Sequence, residues 1–444
     1  MAGLAVYLAP SGHHRVYAAA AVVGALAAGV LAFGFVKRPW LLAVAALACV
    51  PARIPVSVGD TKANLLLPLY GVVAAAALAL AWELFGDDER TRELGIASLP
   101  VAGLVAWTGL SLLWTDDLRQ GAISLVFFWL PFGLLAVSLA RLPWRRRWLS
   151  GLYAQLAVMG AAIALIGVYQ YTARDVFWNP KVIVDNAYAP SGWFYRVNSV
   201  FYDPSIYGRF LVVAILASLV LVLHGRPLRV VLPVSAMLAA TWLGLLPSFS
   251  QSSFLALMVG TVIAVAIWWR KRAVVALGLT AAVLVVVGAS APQVRHTFVG
   301  KSKSGFERAT GGRSKLISNG VKVALDHAAV GVGIGGFKRA YAEKTGLKGR
   351  EPKAAASHDT PITVAAETGV LGLGLLIWLV VAAALLAFQP LRTTFNGRAR
   401  LVFGLGLAAI VVHSCFYNAL FEDPMFWGFL GLAAAGARAR EDAL

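Results

Sequence analysis

Residues 357–388 read "SHDTPITVAAETGVLGLGLLIWLVVAAALLAF", and this stretch decides the fold class. After Pro361 it holds a single ionisable residue, Glu367, in an apolar run long enough to cross about 30 Å of hydrocarbon as a helix. Asp359 is a helix-capping residue type, and proline suits the first turn of a helix. The sequence therefore predicts that a polar loop ends here and a membrane-spanning helix begins, with His358 at its entrance.

Similar apolar runs recur along most of the chain. It has 444 residues, of which 59% are hydrophobic and 14% charged, against about 45–50% apolar and about 25% charged in a soluble domain. This predicts an all-α fold, a polytopic membrane helix bundle of about 12–13 transmembrane helices that forms a single integral membrane domain over 1–444. The predicted spans are 16–36, 39–52, 64–85, 95–114, 120–140, 148–171, 205–224, 228–246, 251–269, 273–291, 361–388, 399–420 and 424–437.

The distribution of Lys and Arg predicts the orientation. Short connections rich in these residues, such as "RRR" at 145–147, are expected in the cytoplasm. The loops at 172–204 and 292–360 then lie on the extracytoplasmic side, and the second is expected to be a large extracytoplasmic catalytic loop. Its net charge is +8, out of +18 for the whole chain, which suits an anionic partner. A loop this basic can still lie outside, because long segments cross the membrane regardless of charge. We expect a multi-pass protein of the cytoplasmic (inner) membrane whose site faces the periplasm or cell exterior.

His358 and Glu367 are candidate catalytic residues. Glu367 follows Pro361 by six residues, which places it roughly 9 Å along the helix. An ionisable group at that depth is costly unless it faces a polar cavity or a partner, so its presence favours a function. The alternative is that Glu367 is hydrated near the membrane surface and that His358 is an ordinary loop residue.

Three arginines are candidates for binding phosphate. Arg196 lies in "FYRVNSVFYDPS", Arg209 lies near the start of the next span, and Arg313 lies in "TGGRSKL". A guanidinium group stays charged and grips phosphate oxygens with a planar fork. For Arg209 the alternative is a side chain that reaches back to the membrane surface. Gly369 and Gly372 are interpreted as structural, for close helix packing.

No cofactor, metal ion or nucleic-acid partner is expected. The chain contains no H-E-x-x-H, P-loop or paired-cysteine motif. "GVGIGG" at 331–336 matches G-x-G-x-x-G, but no strand or βαβ unit surrounds it, so dinucleotide binding is rejected. A tight turn before "FKRAY" is the interpretation we favour.

Three segments resemble a known family. "HDTPITVAAETGVLG" resembles the H-N/S/Q-x9-G-x-x-G signature of the bacterial O-antigen ligase and Wzy-type polymerase superfamily. "RVNSVFYDPSIYG" is similar to its R-x-x-G-T-F-x-N-P-N segment, and "GGRSKLISNGVKVALDHAAVGVGIGGF" to its G-R-x-x-x-W…P-x-x-G-x-G-x-G-x-F segment. The chain departs from the family pattern at Asp359, at Asn198 and Ser199 in place of the first glycine region, and at Gln251 where arginine is common.

The resemblance implies a GT-C-like, metal-independent, inverting glycosyltransferase. Its donor would be a glycan on a polyprenyl (undecaprenyl) diphosphate, and its acceptor a hydroxyl of a glycan, lipid or cell-wall polymer at the outer face of the membrane. Arg196, Arg313 and Arg209 would bind the diphosphate. His358 would accept the acceptor's proton or bind the diphosphate, and Glu367 would position His358 or an arginine.

Two alternatives remain at this stage. Within the family, a Wzy-type polymerase would join lipid-linked repeat units instead of ligating a finished glycan, and the sequence does not separate the two. From a different class, a lipid-linked oligosaccharide transporter or flippase would have a similar number of helices. Transporters place polar groups near the midplane in two related halves, whereas here the ionisable groups gather at one face and no halves match.

Overall fold

The computed structural model describes residues 14–58, 61–86, 93–175, 195–223, 227–267, 313–346, 359–389 and 394–439. Its elements are helices apart from one short β-hairpin, which confirms the predicted helical membrane fold. The predicted span at 273–291, more than half of the predicted loop at 172–204 and almost half of the loop at 292–360 lie outside the described residues. The hairpin joins Ile54–Val58 (β1) to Thr61–Leu65 (β2) in antiparallel register, and the sequence analysis did not predict it.

The helices follow in chain order. They are α1 (His14–Lys37), α2 (Trp40–Cys49), α3 (Leu67–Leu84), α4 (Ser98–Leu110), α5 (Leu118–Ser124), α6 (Leu130–Ala140), α7 (Arg146–Ala173), α8 (Pro204–Leu223), α9 (Leu228–Leu245), α10 (Gln251–Ile267), α11 (Arg313–Asp326), α12 (Phe337–Lys344), α13 (Thr360–Phe388), α14 (Phe395–Ser414) and α15 (Pro424–Arg438). A π-helical turn, Leu125–Trp129, joins α5 to α6 into one continuous helical segment.

Eight helical segments in the described parts of the chain are long and apolar enough to cross a bilayer. Each predicted span that falls within those parts coincides with a helix, including the two shortest, α2 and α15. The agreement follows from the bilayer itself, because a chain in hydrocarbon must satisfy its backbone hydrogen bonds internally and a helix does so within one segment.

The centre of the bundle is formed by α8 and α14, each with 72% of its apolar window buried. These two helices pack on each other; α8 also contacts α7 and α9, and α14 also contacts α13 and α15. We call the end of the bundle that carries the start of α13 and the turn between α14 and α15 the site end. The opposite end carries Arg141, which is buried and pairs with Glu83 at 3.1 Å and Glu93 at 2.8 Å.

The described part of the large predicted loop contains two amphipathic helices that pack on the bundle. Val323 of α11 is buried in a small cluster with Phe337 and Tyr341 of α12 and Ala366 of α13. Val321 and Leu325, two large apolar residues of the same helix, are exposed. The face that α11 buries is set by its packing against α13, which the pattern of one helix does not reveal.

Candidate functional site

Helix α13 is broken inside its apolar run. Gly369 has φ 68° and ψ −165°, a conformation that only glycine adopts readily. A Cβ added there would overlap the carbonyl group of Ala329. The sequence analysis interpreted this glycine as a helix-packing residue; in the structure it also permits a break in the backbone. At Gly372 an added Cβ would overlap the side chain of Thr368, which lies in the preceding turn.

The backbone groups freed by this break find partners elsewhere in the protein, as groups at membrane depth must. The four hydrogen bonds are Val332 N–H to Ala366 O (2.9 Å), Gly333 N–H to Glu367 O (2.9 Å), Val370 N–H to Ala328 O (2.8 Å) and Trp107 Nε1–H to Thr368 O (2.8 Å). The loop between α11 and α12 and a side chain of α4 therefore hold the broken helix in place.

The "GVGIGG" stretch forms the part of this loop that approaches the helices most closely. Gly331, Gly333 and Gly335 all have positive φ values, of 73°, 84° and 81°. A Cβ at these positions would collide with the backbone of Glu367, with Thr115 and with the backbone at the start of α5. The motif thus lets the loop backbone approach two membrane helices closely, and its likeness to a dinucleotide-binding fingerprint is coincidental.

Glu367 lies beside the break and points at the start of α12. The backbone N–H of Phe337 donates to its Oε1 at 3.4 Å. Lys338, the next residue, contributes a positive charge near the carboxylate. A helix N-terminus and an ammonium group both favour a carboxylate, so α12 supplies Glu367 with a partner.

A cavity of about 270 Å³ opens next to Glu367 at the site end. Its walls combine apolar and aromatic side chains, including Phe128, Trp129 and Phe421, with several polar ones. The polar and charged lining residues are Thr108, Gln120, Ser124, Lys338, Thr360, Thr363, Glu367, Thr368, Asn418 and Glu422. This composition, a mainly apolar shell with a few convergent polar groups, is typical of a ligand site.

The π-helical turn Leu125–Trp129 forms one wall of the cavity. It follows α5, whose first turn is capped by Asp117 through a 2.9 Å bond from the Gln120 N–H. The wider turn changes the register of the helix, and π-helical turns occur frequently at functional sites. Ser124, Phe128 and Trp129 line the cavity from this segment.

The turn between α14 and α15 forms the facing wall. The Thr360 hydroxyl contacts Asn418 Oδ1 at 3.0 Å and ties this turn to the start of α13. Asp423 caps α15 by accepting the Met425 N–H at 2.8 Å, and its carboxylate pairs with Arg209 Nε at 2.7 Å. Both side chains of this ion pair are only 3% exposed.

Glu422, which precedes Asp423 in the chain, lines the cavity. Burial raises the pKa of Glu422, while the positive charges of Arg53, Arg209 and Lys338 oppose the shift. Asp359, at the start of α13, accepts the Ile362 N–H at 2.9 Å. Burial also raises the pKa of Asp359, and that hydrogen bond opposes the change.

Arg196 lies in a segment clamped between α7 and the end of α9. Its Nε donates to the Ser248 carbonyl at 3.1 Å. Gln170, fully buried in α7, accepts the N–H groups of Asn198 (3.1 Å) and Ser199 (2.8 Å). Ser199 has φ 50° and stands where the family segment has its glycine, so the backbone conformation is the one that a glycine would favour.

The structure brings only some of the predicted residues to the cavity. Glu367 lines it, whereas Arg209 and Arg196 are not among the lining residues. Arg313 begins α11, but its side chain lies outside the described residues, as does the whole of His358.

The sequence analysis missed several polar residues of the cavity, including Gln120, Lys338, Asn418 and Glu422. The one available signal was "FED" at 421–423, an acidic pair directly before a proline at the start of a span. Residues distant in sequence meet at this cavity, and hydropathy alone does not indicate which of them face each other.

Comparison with known proteins identifies a domain in this chain. Residues 236–377 match the family model described as O-antigen ligase, from α9 to the middle of α13. The match confirms the resemblance seen in the sequence and includes Arg313, His358 and Glu367, whereas Arg196 and Arg209 precede it. No curated protein matches the chain.

Proposed function

Because residues 236–377 match the family model described as O-antigen ligase, we propose that this multi-pass membrane protein transfers a glycan from a polyprenyl diphosphate to an acceptor hydroxyl at the outer face of the cytoplasmic membrane. The observation that carries the proposal is that the matched segment supplies Glu367 and the glycine loop beside a polar cavity at the site end. Ligation of a finished glycan is the reaction that the family's description favours over polymerisation.

The reaction is a single displacement with inversion. The acceptor oxygen forms a bond to the anomeric carbon while the bond from that carbon to the diphosphate oxygen breaks. The bonding electron pair leaves on the diphosphate, and the acceptor hydroxyl loses its proton to a base. No covalent enzyme intermediate is needed, and fixed cations stabilise the charge that develops on the leaving group.

Arginine side chains provide those cations. We assign Arg196 and Arg313 to the diphosphate, because guanidinium forks match phosphate oxygens and keep their charge. Arg209 contributes less, since its charge is already offset by Asp423. Its Nη1 has no hydrogen-bond partner among the described residues and is the group assigned to the donor.

His358 is the proposed base, and Glu367 belongs to the wall that holds the acceptor. His358 precedes Thr360, a lining residue of the cavity, by two residues. Chain geometry limits the separation of two such Cα atoms to about 7.6 Å. An imidazole with an ordinary pKa of about 6.5 suits proton transfer near neutral pH.

The proposal is tested by transfer in vitro. The purified full-length protein in nanodiscs is given a polyprenyl diphosphate-linked oligosaccharide and a panel of glycan, glycolipid and cell-wall acceptors. His358→Ala is expected to lower kcat by about 10²–10⁴-fold, the usual contribution of a general base. Arg196→Ala and Arg313→Ala are expected to lower kcat/KM by about 10²-fold, as loss of a charged contact to the leaving group does.

Glu343→Gln is the matched control, because Glu343 is 68% exposed on α12 and does not line the cavity. It should transfer at the wild-type rate. Equal turnover of wild type and all three site variants would refute the assignment of the site, and no transfer to any acceptor by wild type would refute the proposed reaction.

A further inference from the structure

The cavity at the site end is lined by polar groups that make no hydrogen bonds to the described part of the protein. The side chains of Gln120, Ser124 and Glu422 line it, and none of them makes a hydrogen bond to another described residue. The Asn418 carboxamide accepts from Thr360, and its NH₂ group makes no hydrogen bond to the described residues. All four side chains are partly exposed to the cavity, so water or a ligand that enters it can bond to them.

The chemistry of these groups suits a hydroxyl-rich ring. Carboxylates accept hydrogen bonds, carboxamides donate and accept, and a serine hydroxyl does both. A sugar ring offers donors and acceptors around its edge and C–H groups on its faces, which match the aromatic side chains of the wall. The volume of about 270 Å³ lies just below the roughly 300–1,000 Å³ found for small-molecule sites, so the cavity fits one ring better than a long chain.

The charge of the cavity determines whether it binds the sugar of the donor or the sugar of the acceptor. Among the residues that the structure describes, Glu367 and Glu422 face it and Lys338 is the single lining cation. The carboxylates of the cavity repel a phosphate or a carboxylate on a bound ligand. This repulsion gives specificity, because it excludes anionic ligands. The donor's first sugar is bonded to two phosphates, whereas the acceptor sugar need carry no charge.

We propose that this cavity is the acceptor subsite, and that it takes an uncharged hexose-type ring and rejects rings that bear a carboxylate or a phosphate. The inference deepens the proposed transfer reaction and rests on it. The donor diphosphate then lies outside the cavity, toward the arginines that do not line it, and the acceptor hydroxyl points out past Thr360.

The first test needs no turnover. Full-length protein in nanodiscs is photolabelled with a glucoside carrying a diazirine on a short alkyl chain, and separately with the corresponding glucuronide. The glucoside is expected to label peptides containing 118–129 and 418–423, and the glucuronide at least about tenfold less, equivalent to about 1.4 kcal/mol of discrimination. Equal labelling by the two probes, or labelling confined to other peptides, would overturn the subsite.

The second test uses the transfer assay. Gln120→Ala and Glu422→Gln are expected to raise the acceptor KM about tenfold while the donor KM stays unchanged, and Glu422→Gln should also narrow the preference for glucoside over glucuronide acceptors. Glu343→Gln serves again as the control and should change none of these values. A rise in the donor KM instead would place the donor in the cavity and refute the inference.

The experiments distinguish failure of the proposed transfer reaction from failure of the proposed acceptor subsite. Absence of transfer by wild type, with glucoside labelling at the cavity, would refute the reaction but support the sugar site. Transfer with unchanged acceptor KM in both cavity variants would support the reaction and refute the subsite.

Discussion

Ser199 adopts a backbone conformation that glycine adopts more easily. Its φ of 50° costs a residue with a side chain about 1–2 kcal/mol, and its hydroxyl bonds to the Ile163 carbonyl at 2.8 Å, worth about 0.5–1.5 kcal/mol. Ser199→Gly removes the backbone strain but also removes the hydroxyl's hydrogen bond, so we expect stability within about 1 kcal/mol of wild type. Ser199→Ala keeps the strain and loses the bond, and should cost about 1–2 kcal/mol.

Thermal unfolding of the two Ser199 variants in the same detergent provides the comparison. The order of stability, glycine above alanine, is the informative outcome. An alanine variant as stable as the glycine variant would mean that the backbone strain at this position is negligible.

The buried pair of Arg209 and Asp423 should behave as a structural unit. Removing one member leaves an unpaired buried charge, which typically costs about 3–5 kcal/mol. We therefore expect Arg209→Met to lower the unfolding temperature sharply, and Arg209→Met combined with Asp423→Asn to recover part of the loss. If Arg209→Met instead folds like wild type and only raises the donor KM, its main role is phosphate binding rather than support of the bundle.

Glu422 should make stability depend on pH. Its pKa in the folded protein is raised by burial, against the opposing charges of Arg53, Arg209 and Lys338. The folded state therefore holds this proton more tightly than the unfolded state does, and stability falls as pH rises from the ordinary value of 4.5 through the folded pKa. Glu422→Gln should be more stable than wild type near neutral pH and should lose this part of the pH dependence. If the free energy of unfolding changes with pH between 4 and 8 in the same way in wild type and Glu422→Gln, the assignment is contradicted.

At the scale of elements, the break in α13 is the feature most sensitive to a single substitution. Gly369→Ala forces a side chain into a glycine-only conformation, at about 1–3 kcal/mol, and into contact with the Ala329 carbonyl. We expect a total loss above about 3 kcal/mol, because the clash adds to the strain.

Gly374 is the matched control on the same helix. An added Cβ there meets nothing within 4 Å, so Gly374→Ala should be neutral or stabilising by up to about 1 kcal/mol. Expression level and unfolding temperature of the two variants test the prediction. Similar behaviour of both alanine variants would show that α13 tolerates a continuous helical backbone at Gly369.

The sequence predicted the start of α13 but not its interruption. Asp359 and Pro361 are local signals, and the structure has the cap where they predict it. The break depends on Val332, Gly333 and Trp107, which lie far away in sequence and supply its hydrogen bonds. A local apolar pattern does not indicate such distant partners, so Gly369 and Gly372 were interpreted as packing residues.

At the scale of the whole molecule, hydropathy was sufficient for the spans that fall within the described residues and insufficient for the site. Whether a segment spans the bilayer depends on about 20 consecutive residues and can be judged for each segment separately. The cavity instead needs the π-helical turn, the start of α13 and the 418–423 turn to meet, and that meeting is a property of helix packing. For the same reason the pairing of Arg209 with Asp423 was not foreseen, and Arg209 was interpreted only as a phosphate ligand or a surface-seeking side chain.

The orientation of the bundle gives a final prediction, because the proposed reaction requires the site end to face outward. Cys49 and Cys415 are first replaced by alanine, and single cysteines are introduced at Glu343, which is 68% exposed at the site end, or at Arg147, which is exposed at the opposite end. In intact cells or spheroplasts, a membrane-impermeant maleimide should label the cysteine at 343 and leave that at 147 unlabelled until the membrane is opened. The Lys and Arg of the short connections favour this orientation. The reverse labelling pattern would place the cavity in the cytoplasm, where a glycan donor displayed on the outer leaflet is out of reach, and would exclude the proposed transfer at the outer face.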